Sequence, residues 1–274
     1  MHSNTLLRRR LLKLAVTAAV VPAALLPLAS APASAAAVAP SFTKIEGAAA
    51  NAAGLQPTVD AYRALLGQPN NGSTPGSQPA GRREINWDGT PDAQSAPNAL
   101  PRDFFNTTAP RGVVFSSSTN RFQVSADSDN PTWTPVRFGN VNSQYPSIFG
   151  TFSAERLFTP VGTNRMIIKF FEPGTTKPAT VNGFGAVFSD VDKSNVSKIE
   201  LYDRWGALLW QNAVPKGTTA SNSLSFLGVT TTAQVAEVRL TAGDAPLSST
   251  NSDTSSRDVV VMDDFLYGEP KPLS

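Results

Sequence analysis

The sequence predicts an all-β protein, a jelly-roll-like antiparallel β-sandwich with one short N-terminal helix. From residue 112 onward, short apolar or alternating runs are separated by Gly, Asn and Asp. No segment in that part has the long 3.6-residue period of an amphipathic helix, and no internal repeat recurs at a fixed spacing. Many short strands with turn residues between them are typical of a sandwich or jelly roll.

Eleven strands are predicted in this part of the chain. They lie at residues 113–115, 122–125, 147–153, 156–159, 165–172, 180–189, 198–203, 207–211, 223–229, 235–241 and 259–267. The run at residues 165–172 is nearly continuous in apolar side chains, which predicts a strand buried on both faces. At residues 198–211, two alternating runs flank Asp203-Arg204-Trp205-Gly206, which predicts a hairpin with Trp205 exposed at its tip.

Residues 1–35 have the pattern of a signal peptide. Three arginines and a lysine at residues 8–13 precede an uncharged apolar run at residues 14–28, and Ala33-Ser34-Ala35 supplies a cleavage site. The arginine run fits either the twin-arginine or the general secretory route. The apolar run is too short and too proline-broken to span a bilayer. We therefore expect a secreted, extracellular protein with no membrane insertion after the signal is removed.

The residues that follow are predicted to lead into the sandwich. Residues 36–56 are alanine-rich and predict a flexible lead, in which residues 41–45 could form an edge strand. Within residues 57–111, a helix at residues 57–66 is predicted to start at the Thr58 cap and to end at Gly67, with Val59, Tyr62 and Leu66 on one face. The rest of that segment predicts irregular chain packed on the sandwich of residues 112–268, and residues 269–274 form a tail.

Composition restricts the chemistry. The chain has no Cys, and its one His is His2, within the predicted signal. A disulfide, a Ser-His-Asp triad and a histidine zinc site are therefore excluded from the mature chain. Four of the 23 basic residues precede residue 35, whereas all 21 acidic residues follow it, so the mature net charge is −2. We expect no nucleic-acid partner, because no long basic stripe remains.

Four segments resemble a family of uncharacterised secreted bacterial proteins. They are residues 81–89 (GRREINWDG), 100–106 (LPRDFFN), 183–192 (GFGAVFSDVD) and 261–268 (VMDDFLYG). The last two are similar to jelly-roll ectodomains of PEP-CTERM-type extracellular proteins. The resemblance implies a β-sandwich and an extracellular location, and it implies no activity. The ending of the chain differs from a hydrophobic PEP-CTERM sorting tail.

Two acidic pairs are candidate metal ligands, and Ca²⁺ is the candidate ion. Asp190 and Asp192 follow a strand and place oxygens at alternate positions, as in the first half of an EF-hand loop, but Leu201 replaces the twelfth-position glutamate. Asp263 and Asp264 lie inside an apolar strand, where one of the two must face inward and needs a cation or an arginine. The alternatives are solvated turn aspartates for the loops, including 127–130 and 251–258, and an arginine pair for the strand.

The candidate ligand-binding residues are Trp87, Asp88, Trp133 and Trp205. Sugar rings stack on flat indole surfaces, and neighbouring polar groups bind their hydroxyls. The alternative for each indole is packing inside the protein.

These features favour a non-catalytic binding module whose partner is an extracellular glycan or another cell-surface polymer. A structural or adhesive component without a small-ligand site is the alternative. A carboxylate-based glycosidase, with pairs such as Glu84 and Asp88 or Glu155 and Glu172, is a third. A concave groove lined by exposed aromatic side chains would favour binding, and a flat polar surface with a large apolar patch would favour assembly. A cleft holding a carboxylate with a strongly raised pKa would favour catalysis.

Overall fold

Two antiparallel β-sheets pack face to face in residues 38–273, the part of the chain that the computed structural model describes. Strands contain 36% of the residues and helices contain 11%, so the prediction of an all-β sandwich with few helices is confirmed. The predicted signal peptide at residues 1–35 lies outside the described residues. Between residues 38 and 273, no helix has the length and apolar character needed to cross a membrane.

The strands and helices are numbered in chain order. The strands are β1 (Phe42–Ala49), β2 (Arg82–Ile85), β3 (Val113–Ser116), β4 (Phe122–Val124), β5 (Phe158–Pro160), β6 (Arg165–Phe170), β7 (Ala179–Ser189), β8 (Lys198–Tyr202), β9 (Leu208–Ala213), β10 (Leu224–Val235), β11 (Glu237–Thr241), β12 (Val261–Gly268) and β13 (Lys271–Pro272). The helices are α1 (Ala52–Leu66), α2 (Phe104–Thr107) and α3 (Tyr145–Ile148), with a 3₁₀ turn at Asp92–Gln94.

The two sheets differ in size and in what covers them. The large sheet has the order β1-β10-β7-β12-β5-β4, with β2 paired to β12 and β13 paired to β7. The small sheet has the order β3-β6-β11-β8-β9. The main core lies between the sheets, and α1 covers the other face of the large sheet with Leu55, Val59, Tyr62 and Leu66. All eight residues of β12 are buried as a result.

The small sheet exposes its outer face, which corrects one prediction. Strand β6, predicted to be buried on both faces, alternates between buried Ile168 and exposed Arg165 and Lys169. The apolar run at residues 165–172 does not indicate which of the two sheets β6 joins. Strands β7, β10 and β12 are buried along most of their length, because α1 covers the second face of the large sheet there.

The first part of the chain is more ordered than predicted. Residues 42–49, within the predicted flexible lead, form β1 and pair with β10 along their whole length. Helix α1 begins at Ala52 rather than residue 57, because the Asn51 side chain, and not Thr58, caps it by accepting a hydrogen bond from Gly54 N at 3.0 Å. Its predicted end at Gly67 is confirmed by a φ of 90° there.

Two other segments also differ from the prediction. Residues 82–85, predicted to be irregular, form β2 against β12. Residues 147–153, predicted to be a strand, instead contain the end of α3 and a loop. In both cases the decisive interaction is with a partner distant in sequence, which local alternation does not show.

A third apolar cluster supports the loop between β11 and β12, residues 242–260. Its buried members are Phe138, Tyr145, Phe149, Leu157, Ala245, Leu247, Val259 and Val261. The Tyr145 hydroxyl donates to Ser248 O at 3.0 Å and to Asn251 O at 2.6 Å. This contact fixes the part of the loop that precedes Asp253.

Candidate metal centre

Three carboxylates meet beyond the ends of the strands. One oxygen each from Asp190, Asp192 and Asp253 lies within 4.8 Å of the other two. Asp190 and Asp192 directly follow β7, whereas Asp253 comes from the 242–260 loop. The structure thus brings together the predicted pair and a residue of the 251–258 acidic segment. We call these three residues the loop-end cluster.

Asp190 is the most constrained member of the loop-end cluster. It is fully buried, and neither of its carboxylate oxygens has a hydrogen-bond partner within the described residues. Its backbone is held with φ at 70°, and its amide donates to Ser223 O at 2.9 Å. Burial, followed by the charges of Asp253, Asp192 and Asp258, raises the pKa of Asp190 to about 9. An ionised Asp190 therefore needs a positive partner.

Asp258 joins the two chain segments that form the loop-end cluster. Its buried carboxylate accepts hydrogen bonds from Asp192 N at 3.1 Å and from Lys193 N at 3.2 Å. Asp253 in turn accepts one from Val259 N at 2.9 Å. Burial, together with neighbouring carboxylates, raises the pKa of both Asp253 and Asp258 to about 6. The backbone amides position these groups but add no full positive charge.

The lysine that follows Asp192 in the sequence is directed away from the loop-end cluster. Lys193 Nζ binds Asp244 Oδ2 at 2.6 Å. Within residues 38–273, no lysine or arginine nitrogen lies within 4.0 Å of a carboxylate of the loop-end cluster. Several carboxylate oxygens around one point, without a neutralising side chain, are what a hard divalent cation requires. The loop-end cluster could hold a metal ion.

The second predicted pair, Asp263 and Asp264, has a different environment. Both are buried, and strand β12 has one extra residue there, because Met262 pairs with Phe188 but Phe265 pairs with Ala186. A β-bulge of this kind interrupts the alternation of faces. Both carboxylates accept from the Ser153 hydroxyl, at 3.1 and 2.8 Å. The expectation that they point to opposite faces is therefore wrong.

The charge of this pair is compensated by protein groups. Asp263 also accepts from Phe152 N at 2.7 Å, and Arg63 Nη2 lies 3.5 Å from Asp264 Oδ2. Burial raises the pKa of Asp263 well above its ordinary value, and the adjacent Asp264 carboxylate raises it further. Burial raises the pKa of Asp264 to about 6. These contacts favour the arginine alternative for Asp264 and a shared proton for the pair.

The predicted ligand-binding residues separate into buried and exposed ones. Trp87 is 1% exposed and stacks on Phe158 at 4.1 Å between ring centroids, so its proposed contact with a sugar is corrected to a core role. Asp88 is partly buried and accepts from Arg156 N at 3.0 Å. Trp133 is 91% and Trp205 79% exposed, which confirms the predicted exposure of Trp205.

A groove that the sequence predictions did not include lies on the outer face of the small sheet. It has a volume of about 700 Å³ and is bordered by β3, β6, β8 and β11. Its charged side chains are Arg102, Arg165, Lys198, Glu200 and Arg239. Most of these charged residues occupy outward-facing positions of β6, β8 and β11. The sequence shows their alternation along each strand, but the pairing of the strands is needed to see that they line one groove.

Comparisons with protein-family models, with curated proteins and with solved structures found no match to this chain.

Proposed function

We propose that the chain is a secreted, non-catalytic binding module that holds Ca²⁺ in the loop-end cluster. The observation that carries the metal proposal is Asp190, a fully buried carboxylate that lies beside two more carboxylates and whose two oxygens have no hydrogen-bond partner in residues 38–273. A buried anion without compensation is costly, so a bound cation relieves that cost. Ca²⁺ suits the donors, because it accepts six to eight oxygens in flexible geometry.

The position of the loop-end cluster connects the ion to a binding role. The segment that supplies Asp190 and Asp192 continues into Asn195 and Val196, which line the groove on the small sheet. A cation between this segment and Asp253 would fix the rim of that groove. An extracellular glycan or cell-surface polymer is the ligand class expected for such a module. Affinities of extracellular Ca²⁺ modules lie at about 10⁻⁴ to 10⁻³ M.

Calcium binding is tested by thermal unfolding of the mature protein in excess chelator and in added Ca²⁺. At about 100 times its dissociation constant, an ion bound only by the native state stabilises by about 2.7 kcal/mol. We expect this gain in the wild type and its loss in Asp190→Asn, because Asn accepts the positive φ of this position but carries no charge.

The matched control for Asp190→Asn is Asp263→Asn. It also neutralises a buried carboxyl, but one outside the loop-end cluster, so it should keep the Ca²⁺ response. Isothermal titration should give one Ca²⁺ site in the wild type and none in Asp190→Asn. Unfolding curves that are identical in chelator and in Ca²⁺ would contradict the proposed metal site.

One observation favours a second candidate function, a carboxylate-dependent hydrolase. Asp264, whose pKa is raised to about 6 by burial, borders a cavity of about 290 Å³ together with Glu84 and Arg63. A proton held by a carboxyl near neutral pH is what general acid catalysis needs. Hydrolysis of polysaccharides by the wild type but not by Asp264→Asn, with both proteins folded, would support this candidate. Equal activity, or none, would exclude it.

A further inference from the structure

The groove on the small sheet carries an excess of positive charge. Arg102, Arg165 and Lys198 are exposed, and among residues 38–273 no carboxylate oxygen lies within 4.0 Å of their side-chain nitrogens. Arg239 is paired with Glu237 at 2.7 Å, and Glu200 is the acidic side chain that lines the groove. The mature chain is acidic as a whole, so this local excess of positive charge is not a consequence of composition.

The strand register places the cations in a defined pattern. Thr241 on β11 pairs with Arg165 on one side and with Lys198 on the other. Since neighbouring strands lie about 4.8 Å apart, the backbone positions of Arg165 and Lys198 are separated by about 10 Å across the sheet. In the next outward-facing row, Arg239 pairs with Ile167 and with Glu200. The groove therefore presents separated positive charges on a rigid sheet rather than one compact anion pocket.

Neutral polar groups and one aromatic ring complete the lining. Hydroxyl and amide side chains along the rim are Ser116, Ser117, Ser118, Asn120, Thr163 and Asn195. The Tyr202 ring has the Arg239 guanidinium 4.0 Å from its centroid, and its hydroxyl donates to Glu200 at 3.3 Å. Such groups bind sugar hydroxyls, and Glu200 can accept from them, whereas a carboxylate would repel closely spaced phosphates.

We propose that this groove binds an acidic polysaccharide whose carboxylates repeat along the chain. The separated cations would pair with successive uronate groups, and the hydroxyl and amide side chains would bind the sugar hydroxyls between them. This inference rests on the proposed function in taking the chain as a binding module, but it does not depend on the metal. A nucleic acid is disfavoured, because the one aromatic ring of the groove is already covered on one side by Arg239.

The test is affinity electrophoresis of the mature protein, without added Ca²⁺, in gels containing polygalacturonate, because Ca²⁺ would itself bind the carboxylates of the polymer. Gels with fully methyl-esterified polygalacturonate, which keeps the backbone but lacks the charges, provide the matched ligand control. We expect retardation by the acidic polymer, little by the ester, and weakening as salt rises. The reversals Arg165→Glu and Lys198→Glu should each lower affinity at least about tenfold.

The matched protein control is Lys177→Glu. Lys177 is exposed and pairs with Glu172, and both residues lie outside the groove, so its reversal should leave binding unchanged. Equal retardation by acidic and esterified polymer would overturn the charge inference and leave the binding module intact. Binding of single-stranded oligonucleotide instead, or of no polymer, would overturn the inference. In each case the Ca²⁺ titration still reports separately on the metal centre.

Discussion

Buried carboxylates lie at two places in the molecule, and the protein groups around them differ. In the β12 bulge, Asp263 and Asp264 share the Ser153 hydroxyl, and Arg63 lies beside Asp264. In the loop-end cluster, Asp190 is as deeply buried, but its oxygens have no hydrogen-bond partner in the part of the chain that the structure describes. Both sites raise the pKa of their carboxyl groups through burial. Among the described residues, only the site in the β12 bulge has side chains that offset the cost of burying a charged carboxylate.

This difference separates a structural acidic pair from a candidate ligand site. A buried charge is stable only when it is protonated, paired or bound to a cation. In the β12 pair, the raised pKa of Asp263 favours a proton and Arg63 lies beside Asp264, so the pair needs no outside ion. At Asp190, no lysine or arginine nitrogen of residues 38–273 lies within 4.0 Å, so either a proton, which its raised pKa favours, or an outside cation must offset the charge.

The largest expected effect comes from removing the arginine of the β12 site. Arg63→Met keeps the length of the side chain but leaves Glu84 and Asp264 without their shared cation, which lies 2.8 and 3.5 Å from them. Because Arg63 is partly exposed, we expect a loss near the lower end of the usual range, about 3 kcal/mol. Urea unfolding in chelator and in Ca²⁺ should give the same loss. A loss below about 1 kcal/mol would show that Asp264 does not need Arg63.

A smaller effect is expected from the hydroxyl that joins the pair. Ser153→Ala removes one donor from both Asp263 and Asp264, and an unsatisfied buried acceptor costs about 1 to 3 kcal/mol. Ser143→Ala, the same change at an exposed loop position, is the control and should alter stability by less than about 0.5 kcal/mol. If the two variants melt alike, the hydroxyl bridge does not contribute to stability.

The smallest expected effect is a change in how strongly the melting temperature depends on pH. The folded pKa of Asp264 is raised from 3.8 to about 6, so its protonated form is favoured by folding. Its contribution to stability is therefore complete below pH 4 and is lost as the pH rises toward 6. At saturating Ca²⁺, Asp264→Asn should show a shallower fall in melting temperature over this window than the wild type. A wild-type curve that rises across the window relative to Asp264→Asn would contradict the direction of the shift.

The hairpin and the helix end could be predicted because their signals are local. Alternation around Asp203 and Gly206 identifies the turn that exposes Trp205, and Gly67 ends α1. The burial of Trp87 could not be predicted in this way, because its indole lies among aromatic rings from distant strands and donates to Asp263 O at 2.8 Å.

The acidic sites also combine features that the local sequence predicts with features that depend on contacts between distant segments. The sequence identifies Asp190 and Asp192 by their spacing after a strand, but Asp253 joins them only through the packing of the 242–260 loop. The apolar residues that flank Asp263 and Asp264 predict that one carboxylate of the pair faces inward, whereas the structure buries both. Their common orientation depends on a one-residue bulge in the pairing of β12 with β7, which strand alternation alone does not show.

Crystals of the mature protein grown with Ca²⁺, measured at a wavelength where calcium scatters anomalously, test the central claim most directly. We expect an anomalous peak between Asp190, Asp192 and Asp253, with Asp190 oxygens about 2.3 to 2.6 Å from the ion. We expect no peak at the Asp263–Asp264 pair. A loop-end cluster without anomalous density, with Asp190 hydrogen-bonded to water or protein, would contradict the proposed calcium site.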